Sequence, residues 1–555
     1  MFKRIPGTVI ILVLIPVLIL PWIFYNVHLS DLGWHAAKSW MIVAHPEGAF
    51  WDPSWLCSLL SGWWMELAGF SILSLRVAVI FCYVGIALLL YGILGEFYER
   101  TYLLLAILPC VLLLMSGTNH LVPNYYFVPP LFALSATYFY IRSLRAKSRQ
   151  FLLMFLSGFL FAFLPMSRIP SVLFAVLYVV GGFMERRSGV EWRVVILRQV
   201  SALAGVILGV GITVAYLYSV GQLDAMVNGI LLVMSDTANN AGGENIHHPV
   251  RLLVDSLVRY GKVLGVGIGI AAPAFFVARG LRGVSPQTRR LSYIAMVLIT
   301  IGATVYLYLC QVGMFPPPLG LAFLLFIITL WQQKNERSPE SSRRSYLYVI
   351  AILFTIFMNV GSSNNMTFSL KFTILLLLPI GVVEGIVLWK REEWVKVLVI
   401  ILFANITSLF IVSRLNNHGF VFNQQGRFVA PALAGLYADT SLTRPYNELT
   451  EAMAEVGIVE GDTLLCYPDL PMLHFTSRTI PAFVNPWISD VFVGFPSDAL
   501  IEKRLTVEGK YPPYVVRGYP DKVEGEEKSR FLDKFWSRYD TVARGDKFSI
   551  LKRPE

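Results

Sequence analysis

The carboxylate of Asp31 is the side chain in this sequence that is best placed for chemistry. Asp31 comes directly after an apolar run at residues 7–27, in the segment SDLGWH at residues 30–35. Ionised groups close to a membrane are energetically costly and tend to be functional. A carboxylate there can act as a general base on a hydroxyl, or it can bind a cation. The alternative is a helix N-cap, because Asp is a favoured cap residue and a helix is predicted at residues 33–43.

Seven more acidic residues are predicted on the same side of the membrane before residue 414: Glu47, Asp52, Glu66, Asp224, Asp236, Glu244 and Asp255. The first three lie with Asp31 in a first outer loop at residues 28–74. The other four lie in a second loop at residues 219–258, whose stretch 235–249 is rich in Asn, Gly and Asp. This composition predicts a flexible loop. Asp236 or Glu244 could enter a site when the loop becomes ordered.

The elements that must hold these residues are membrane helices. Of 555 residues, 55% are hydrophobic and only 15% are charged, against about 25% charged in a soluble protein. This composition excludes a soluble enzyme, a disordered scaffold and a disulfide-rich secreted module. The apolar residues form thirteen runs that we predict to be membrane spans, at residues 7–27, 75–95, 101–117, 124–141, 150–166, 170–184, 195–218, 260–278, 291–310, 318–332, 346–361, 367–389 and 396–413.

The distribution of basic residues predicts the orientation of these spans. Residues 1–413 carry a net charge of +12 and residues 414–555 a net charge of −2. With the N-terminus in the cytoplasm, 21 of the 29 Lys and Arg of residues 1–413 fall in cytoplasmic segments, as the positive-inside rule expects. The basic excess therefore belongs to membrane loops, and we predict no nucleic-acid partner. Because thirteen is odd, the C-terminal segment is placed on the outer side.

Residues 414–555 have a soluble composition and are predicted to form a small α/β domain outside the membrane. The local patterns predict helices at 445–457 and 528–539 and strands at 462–467, 514–517 and 547–551. The predicted fold class is therefore a polytopic α-helical membrane protein, with a membrane domain at residues 1–413 and an extracytoplasmic domain at residues 414–555.

The first outer loop is rich in aromatic residues. Six of the 13 Trp of the chain lie between residues 34 and 64. Since Trp favours the membrane–water interface, a helix lying in the headgroup layer is predicted, and this helix could line a lateral opening for a lipid substrate. The loop continues with GAFWDP at residues 48–53 and with a second helix that ends in GFS at 69–71, before LR at 75–76 opens the next span.

In this order of features the chain resembles the GT-C superfamily of integral membrane glycosyltransferases, especially the branch of protein O-mannosyltransferases and bacterial aminoarabinose transferases. The tail segment GDTLLCYPD at residues 461–469 and the closing residues 539–553 are similar to the tails of bacterial members. The resemblance implies a GT-C-like fold with about 13 transmembrane helices. It also implies a polyprenyl-phosphate-linked sugar donor and a lipid, glycan or protein acceptor, at the outer face of the inner (plasma) membrane among its lipids.

By this resemblance Asp31 is the catalytic base. Removal of the acceptor proton by a single base and cationic stabilisation of the leaving phosphate suffice for inverting transfer. Many relatives have a paired Asp-Glu at this position, whereas Leu32 follows Asp31 here. We therefore assign no metal ligands, and a divalent cation is the one cofactor left open. His247 and His248 are adjacent and lack an evident third ligand, so they are not assigned as a metal site.

The phosphate clamp must be built from basic residues on the outer side. The candidates are Arg168 in the turn MSRIP at residues 166–170, Lys371 just inside a later span and Arg427 after the last one. Snorkelling to lipid headgroups is the alternative for each. The other candidates for substrate binding are His35, Asp52 and His120, with ordinary loop capping as the alternative for His120.

Two other classes of function are open at this point. A transporter or flippase of lipid-linked saccharides should show charged or broken helices at the membrane midplane and internal repeats. Here Glu384 is the clear mid-span ion, and the sequence shows no repeat. A protein like an O-antigen polymerase or ligase should, by resemblance, have a large loop between late spans rather than a C-terminal domain. The glycosyltransferase hypothesis is therefore preferred.

Overall fold

The chain folds into a helical bundle with a small α/β domain at one end. We describe a computed structural model for residues 6–48, 54–116, 121–146, 148–234, 248–280, 283–309, 316–333, 339–358, 370–389, 392–415, 421–467, 470–482, 511–518 and 537–554. The helices of the bundle are α1 Gly7–Ile19, α2 Asp31–Ala44, α3 Trp55–Ala68, α4 Ile72–Leu94, α5 Arg100–Ser116, α6 Val128–Arg145, α7 Gln150–Ser167, α8 Val176–Arg187, α9 Trp192–Ser219, α10 Leu223–Met234, α11 His248–Gly280, α12 Pro286–Leu309, α13 Pro316–Gln333, α14 Pro339–Phe357, α15 Leu370–Trp389 and α16 Glu393–Leu415.

Each of the thirteen predicted spans coincides with a helix. Within the described residues, eight helices are long and apolar enough to cross a membrane, and three shorter apolar helices accompany them. The protein is therefore a multi-pass membrane protein. Helix α15 is the central one, since 89% of its most apolar stretch is buried inside the protein. The predicted loop at 219–258 contains α10 and the start of α11, and its residues 235–247, with Asp236 and Glu244, lie outside the described residues.

Helices α2 and α3 form a layer on one end of the bundle, between the end of the first span and the start of α4. We call this end the Asp31 face. Helices α7 and α16 also end there. Helices α12 and α16 begin together at the opposite face, where Arg289 and Glu393 form an ion pair. The Trp residues of this layer divide between surface and core. Trp63 is 46% exposed, as an interfacial position predicts, but Trp55 is buried and its indole N–H donates to Gln222 Oε1 at 2.8 Å.

A buried arginine closes the end of the first span. The helical turns of this span end at Phe24, and the last carbonyls of a helix have no partner within it. Arg76 in α4 is 0% exposed and donates to the carbonyls of Ile23, Tyr25 and Asn26 at 2.6, 2.7 and 2.9 Å. A basic residue that opens a span is expected at the membrane interface, but these carbonyls bind Arg76 inside the protein.

The tail forms a five-stranded mixed sheet and a separate antiparallel pair of short strands, β1 and β2, flanked by helices. Its helices are α17 Thr440–Val456 and α18 Pro471–Ser477, and its strands are β1 Gly426–Arg427, β2 Tyr437–Ala438, β3 Thr463–Tyr467, β4 Ile480–Pro481, β5 Tyr514–Gly518, β6 Asp540–Arg544 and β7 Phe548–Lys552. The five-stranded sheet has the order β4-β3-β5-β7-β6, parallel from β4 to β5 and antiparallel beyond. The three predicted strands and the first predicted helix are confirmed. Residues 528–536 of the second predicted helix lie outside the described residues.

The tail and the Asp31 face share one hydrophobic core. Leu32, Ala36 and Trp40 of α2 belong to the same buried cluster as Met472 and Phe475 of α18. Ala36 and Met472 are both 0% exposed. The rings of Phe70 and Phe475 stack with their centroids 4.4 Å apart. The tail is therefore packed directly onto the helix that begins with Asp31.

Gly33 allows this close packing, so we expect Gly33→Val to loosen the tail. A Cβ atom at Gly33 would lie 2.6 Å from Met472 Cα, which is closer than real Cβ contacts allow. Overpacking of this kind costs about 1–3 kcal/mol. Hydrogen exchange of the α18 amides should become faster, because the tail opens more often.

Gly211→Val is the matched control for this prediction. It makes the same change within helix α9, where a Cβ would meet nothing within 4 Å. Unchanged exchange in α18 of Gly33→Val, or an equal acceleration in both variants, would show that Gly33 does not set this contact.

A buried histidine in α18 predicts that the tail loses stability in acid. His474 is 1% exposed, and burial lowers its pKa to about 3. An unfolded His has a pKa of about 6.5. As the pH falls below about 6.5, His474 becomes protonated in the unfolded tail but stays neutral in the folded tail. The free energy of unfolding of the tail therefore falls progressively until the pH reaches about 3.

Chemical denaturation of the tail at pH 7 and pH 5 should therefore show a loss of stability, at most about 1.4 kcal/mol per pH unit for one proton. The carboxylates of the tail also titrate in this range, so the diagnostic quantity is the difference from His474→Gln. That variant should have a flatter pH profile. An identical slope in both proteins would mean that His474 does not carry the effect.

Candidate functional site

Helix α2 presents Asp31, His35 and Lys38 along one side. Their spacing of four and three residues places side chains above one another on a helix surface. Ser30, not Asp31, holds the cap position, and its side chain makes no capping hydrogen bond. The backbone N–H of Asp31 donates to His28 Nδ1 at 3.3 Å. The N-cap alternative for Asp31 is therefore wrong, and its carboxylate lies in the first turn, where the helix dipole favours a negative charge.

The turn before α6 brings two tyrosines to Asp31. The Tyr125 hydroxyl donates to the Tyr126 hydroxyl at 3.1 Å, and Asn124 Oδ1 accepts from the backbone N–H of Tyr126 at 2.9 Å. The Tyr125 ring lies 5.7 Å from the His35 ring. Burial raises the pKa of Tyr125 to about 12, the hydrogen bond to Tyr126 lowers it, and the Asp31 charge raises it slightly. Both hydroxyls therefore stay protonated at neutral pH.

Arg168 supplies a buried positive charge at the same place. It ends α7, is 8% exposed, and donates from Nη1 to the carbonyl of Met358 at 2.6 Å. Its guanidinium lies 5.2 Å from the centre of the Phe372 ring. Burial lowers the pKa of Arg168 to about 10, so it remains a cation at neutral pH. The charges of Asp31 and of Arg168 both act on the pKa values of the two tyrosines, so both charged groups lie within electrostatic reach of this pair.

We call Asp31, His35, Tyr125, Tyr126 and Arg168 the Asp31 cluster. It combines one carboxylate, one guanidinium and two phenolic hydroxyls on elements that are distant in sequence. A carboxylate can accept a proton from a hydroxyl. A buried cation with neighbouring donors can stabilise negative charge that develops on a leaving group. The cluster therefore holds both functions side by side.

The sequence prediction missed three residues of this region. Tyr125 and Tyr126 were assigned to a span at 124–141, whereas α6 begins at Val128, with proline in its first turn. The pair Pro129-Pro130 is a start signal for a helix that could have placed the tyrosines before it. Lys38 was not considered; it is 3% exposed, and its Nζ lies 3.5 Å from the centre of the Trp34 ring.

The other predicted site residues have different outcomes. Lys371 lies in the first turn of α15, next to Phe372, and its side chain lies outside the described residues. Arg427 is exposed, and its guanidinium lies 5.4 Å from the centre of the Tyr437 ring in the tail. Its described contacts do not include the Asp31 cluster. Asp52 and His120 lie outside the described residues.

Glu384, the mid-span ion, is part of a buried network. Its Oε1 accepts hydrogen bonds from the hydroxyls of Tyr98, at 2.7 Å, and Tyr348. Arg344 Nη1 lies 3.8 Å from the same oxygen. Buried ionised groups are stable only when they are paired and hydrogen-bonded. These contacts explain Glu384 as a structural group near the opposite face.

Metal ligands are a separate question. Across the part of the chain that the structure describes, no three His, Cys, Asp or Glu side chains come together to hold a metal ion. Asp31 carries the one carboxylate among the described residues of the Asp31 cluster. A divalent cation therefore has no ligand set among these residues.

Known proteins share the architecture but not the sequence. No family model and no curated protein matches the chain. The structure of the archaeal oligosaccharyltransferase AglB from Archaeoglobus fulgidus, in complex with an inhibitory peptide and a dolichol-phosphate, matches with a TM-score of 0.52 at 11% identity, over 93% of this chain and 70% of that one. An Archaeoglobus fulgidus oligosaccharyltransferase in the apo form matches with a TM-score of 0.52 at 12% identity over the same shares.

ArnT from Cupriavidus metallidurans bound to undecaprenyl phosphate matches over 97% of both chains, with a TM-score of 0.48 at 11% identity. Because this TM-score is lower, the comparison of folds depends on the two oligosaccharyltransferase structures. Their likeness covers the multi-pass bundle, and it confirms the predicted fold class of a polytopic helical membrane protein with a small α/β tail. The chain therefore has the fold of the archaeal oligosaccharyltransferase, which is the kind of fold that the resemblance noted in the sequence predicts.

Proposed function

We propose that this protein is a glycosyltransferase that moves a sugar from a polyprenyl-phosphate donor to an acceptor hydroxyl or amide at the Asp31 face. The observation that carries the proposal is that Asp31 and Arg168 both lie within electrostatic reach of the Tyr125–Tyr126 pair, with the Tyr125 ring 5.7 Å from the ring of His35 on the same helix as Asp31. A base and a cation are the two functions that this reaction needs. The neighbouring AglB structure contains a dolichol-phosphate, which supports a lipid phosphate as the donor class.

Asp31 is the general base in this proposal. Its carboxylate accepts the acceptor proton while the acceptor oxygen or nitrogen attacks the anomeric carbon and the bond to the phosphate oxygen breaks. Attack from the side opposite the phosphate inverts the anomeric centre, and a second carboxylate is not required. The helix dipole at the start of α2 favours the ionised, proton-accepting form of Asp31 before attack.

Arg168 holds the leaving polyprenyl phosphate. Its buried guanidinium is already fixed by the Met358 carbonyl and the Phe372 ring, so little reorganisation is needed when charge develops on the phosphate. The phenolic hydroxyls of Tyr125 and Tyr126 are further donors for the phosphate or the sugar. Lys38, two turns after Asp31 on the same helix, is a second cation for the donor.

The acceptor class and the side of action are part of the proposal. The positive-inside distribution supports an Asp31 face on the outer side of the plasma membrane, with the tail there and the N-terminus in the cytoplasm. The acceptor is a lipid, a glycan or a protein, and the transferred group is a hexosyl or pentosyl unit. We assign no step to a divalent cation, because the described residues offer it one carboxylate.

The proposal is tested by removing the protein from its host and analysing lipid-linked sugars and surface glycans by mass spectrometry. One glycosylated acceptor should disappear and one polyprenyl-phosphate sugar should accumulate. Restoring the wild-type chain should reverse both changes. Accumulation of a lipid-linked oligosaccharide on the cytoplasmic side would instead indicate the flippase alternative, and an unchanged profile would contradict the proposal.

A further inference from the structure

A long apolar groove runs along helix α16, away from the Asp31 cluster, with α12 beside its outer part and α5, α12 and α15 beside its inner part. Its inner part has a volume of ≈ 840 Å³ and its outer part ≈ 550 Å³, and Ile400 of α16 borders both. The two parts are therefore neighbours along α16 and meet at Ile400. Val297 of α12 lines the outer part, and Ile301 and Phe403 line the inner part.

The groove opens at the face opposite Asp31. Its outer part begins at Pro286 and Glu393, where α12 and α16 begin. Along α16 its lining extends from Lys396 to Ser408, which at 1.5 Å per residue is about 18 Å. The hydrocarbon core of one leaflet is about 15 Å thick. The groove is therefore about as deep as one leaflet.

Basic side chains stand at the mouth of the groove. Arg289, Arg290 and Lys396 line it together with Glu393, which leaves a formal charge of +2. Arg289 Nη1 lies 3.5 Å from Glu393 Oε2, so the carboxylate is engaged with that arginine. Arg290 and Lys396 are exposed at this mouth. The Lys396 ammonium also lies 5.2 Å from the centre of the Trp389 ring, which borders the inner part.

We propose that this groove is a binding site for an anionic glycerophospholipid of the leaflet at the face opposite Asp31. The lipid phosphate lies at Arg290 and Lys396, and an acyl chain fills the apolar groove along α16. Basic pockets between membrane helices bind anionic headgroups. The net positive mouth selects an anionic lipid over a zwitterionic one, and the depth of the groove fits a chain of one leaflet.

The test uses the full-length protein in detergent, with equimolar phosphatidylglycerol and phosphatidylcholine added and bound lipid counted by native mass spectrometry. The wild type should retain phosphatidylglycerol preferentially. The double variant R290Q/K396Q should lose this preference about tenfold or more, since each basic residue attracts an anionic lipid. The matched control R193Q/R279Q removes two exposed arginines of the same face outside the groove and should keep the preference.

A steric variant tests the groove without changing charge. Ile400 and Ile411 are both exposed residues of α16, at 40% and 47%, but only Ile400 lines the groove. I400W should reduce bound phosphatidylglycerol, whereas I411W should not. Equal binding by the wild type, R290Q/K396Q and I400W would overturn the proposal, and so would equal loss in I400W and I411W. Displacement of phosphatidylglycerol by equimolar undecaprenyl phosphate would assign the groove to an isoprenoid lipid and would also overturn it.

Discussion

Asp31→Asn is expected to lower the rate of sugar transfer by about 10²- to 10⁴-fold, the range that general base catalysis contributes. The amide has nearly the shape of the carboxylate but cannot accept the acceptor proton. The change removes a favourable helix-dipole interaction of only about 0.3–1 kcal/mol, so the variant should fold and insert normally. The measurement is single-turnover transfer from the polyprenyl-phosphate sugar that accumulates in cells lacking the protein.

Asp224→Asn is the matched control for this experiment. Asp224 is also an acidic residue in the first turn of a helix, α10, but it is exposed and is not part of the Asp31 cluster. Its variant should transfer at the wild-type rate. Undiminished transfer by Asp31→Asn would remove Asp31 as the base, and an equal loss in both variants would point to a general effect of outer-face charge.

Arg168→Gln is expected to lower the rate of transfer by about 10²- to 10³-fold, the cost of removing one group that stabilises developing charge. It should also weaken recognition of the donor phosphate. Thermal unfolding with undecaprenyl phosphate and with undecaprenol separates the two effects, because a ligand stabilises a protein in proportion to its occupancy. The wild type should be stabilised more by the phosphate, whereas Arg168→Gln should respond equally to both lipids.

The stability of the variants must be compared as well, because Arg168 also binds the Met358 carbonyl. Loss of that donor leaves a buried carbonyl unsatisfied, at a cost of about 1–3 kcal/mol. Arg168→Lys keeps the charge and should retain part of the phosphate response, which a purely structural role would not produce. Arg444→Gln, at an exposed arginine of α17, is the control. A full phosphate response in Arg168→Gln would reject the clamp.

The membrane helices and the strands of the tail are predictable because their signals are local. An apolar run of roughly 20 residues can bury its backbone polar groups in a membrane only as a helix, and each predicted span contains a helix among the described residues. Strands such as β3 and β7 are short runs with apolar and β-branched residues next to polar turns. The position of Asp31 directly after the first span is also predictable, because it depends only on where that apolar run ends.

The environment of the charged residues depends on contacts between distant segments. Arg76 is basic and opens a span, so its sequence context predicts an interfacial side chain. The structure buries it because the first span ends nearby in carbonyls without partners. The small residues Gly33 and Ala36 of α2 are likewise compatible in sequence with a helix at the membrane interface. In the structure they contact the tail instead.

The sequence by itself determined a multi-pass membrane protein with a soluble tail and a carboxylate after its first span. It also identified Arg168 as a candidate for the phosphate clamp, but without distinguishing it from Lys371 and Arg427. Only the tertiary structure joined Asp31 of α2, the tyrosines before α6 and Arg168 after α7 in one cluster. The reason is physical: helix and strand signals arise within a few residues, whereas a site arises from side chains that packing brings together across more than 130 positions of chain.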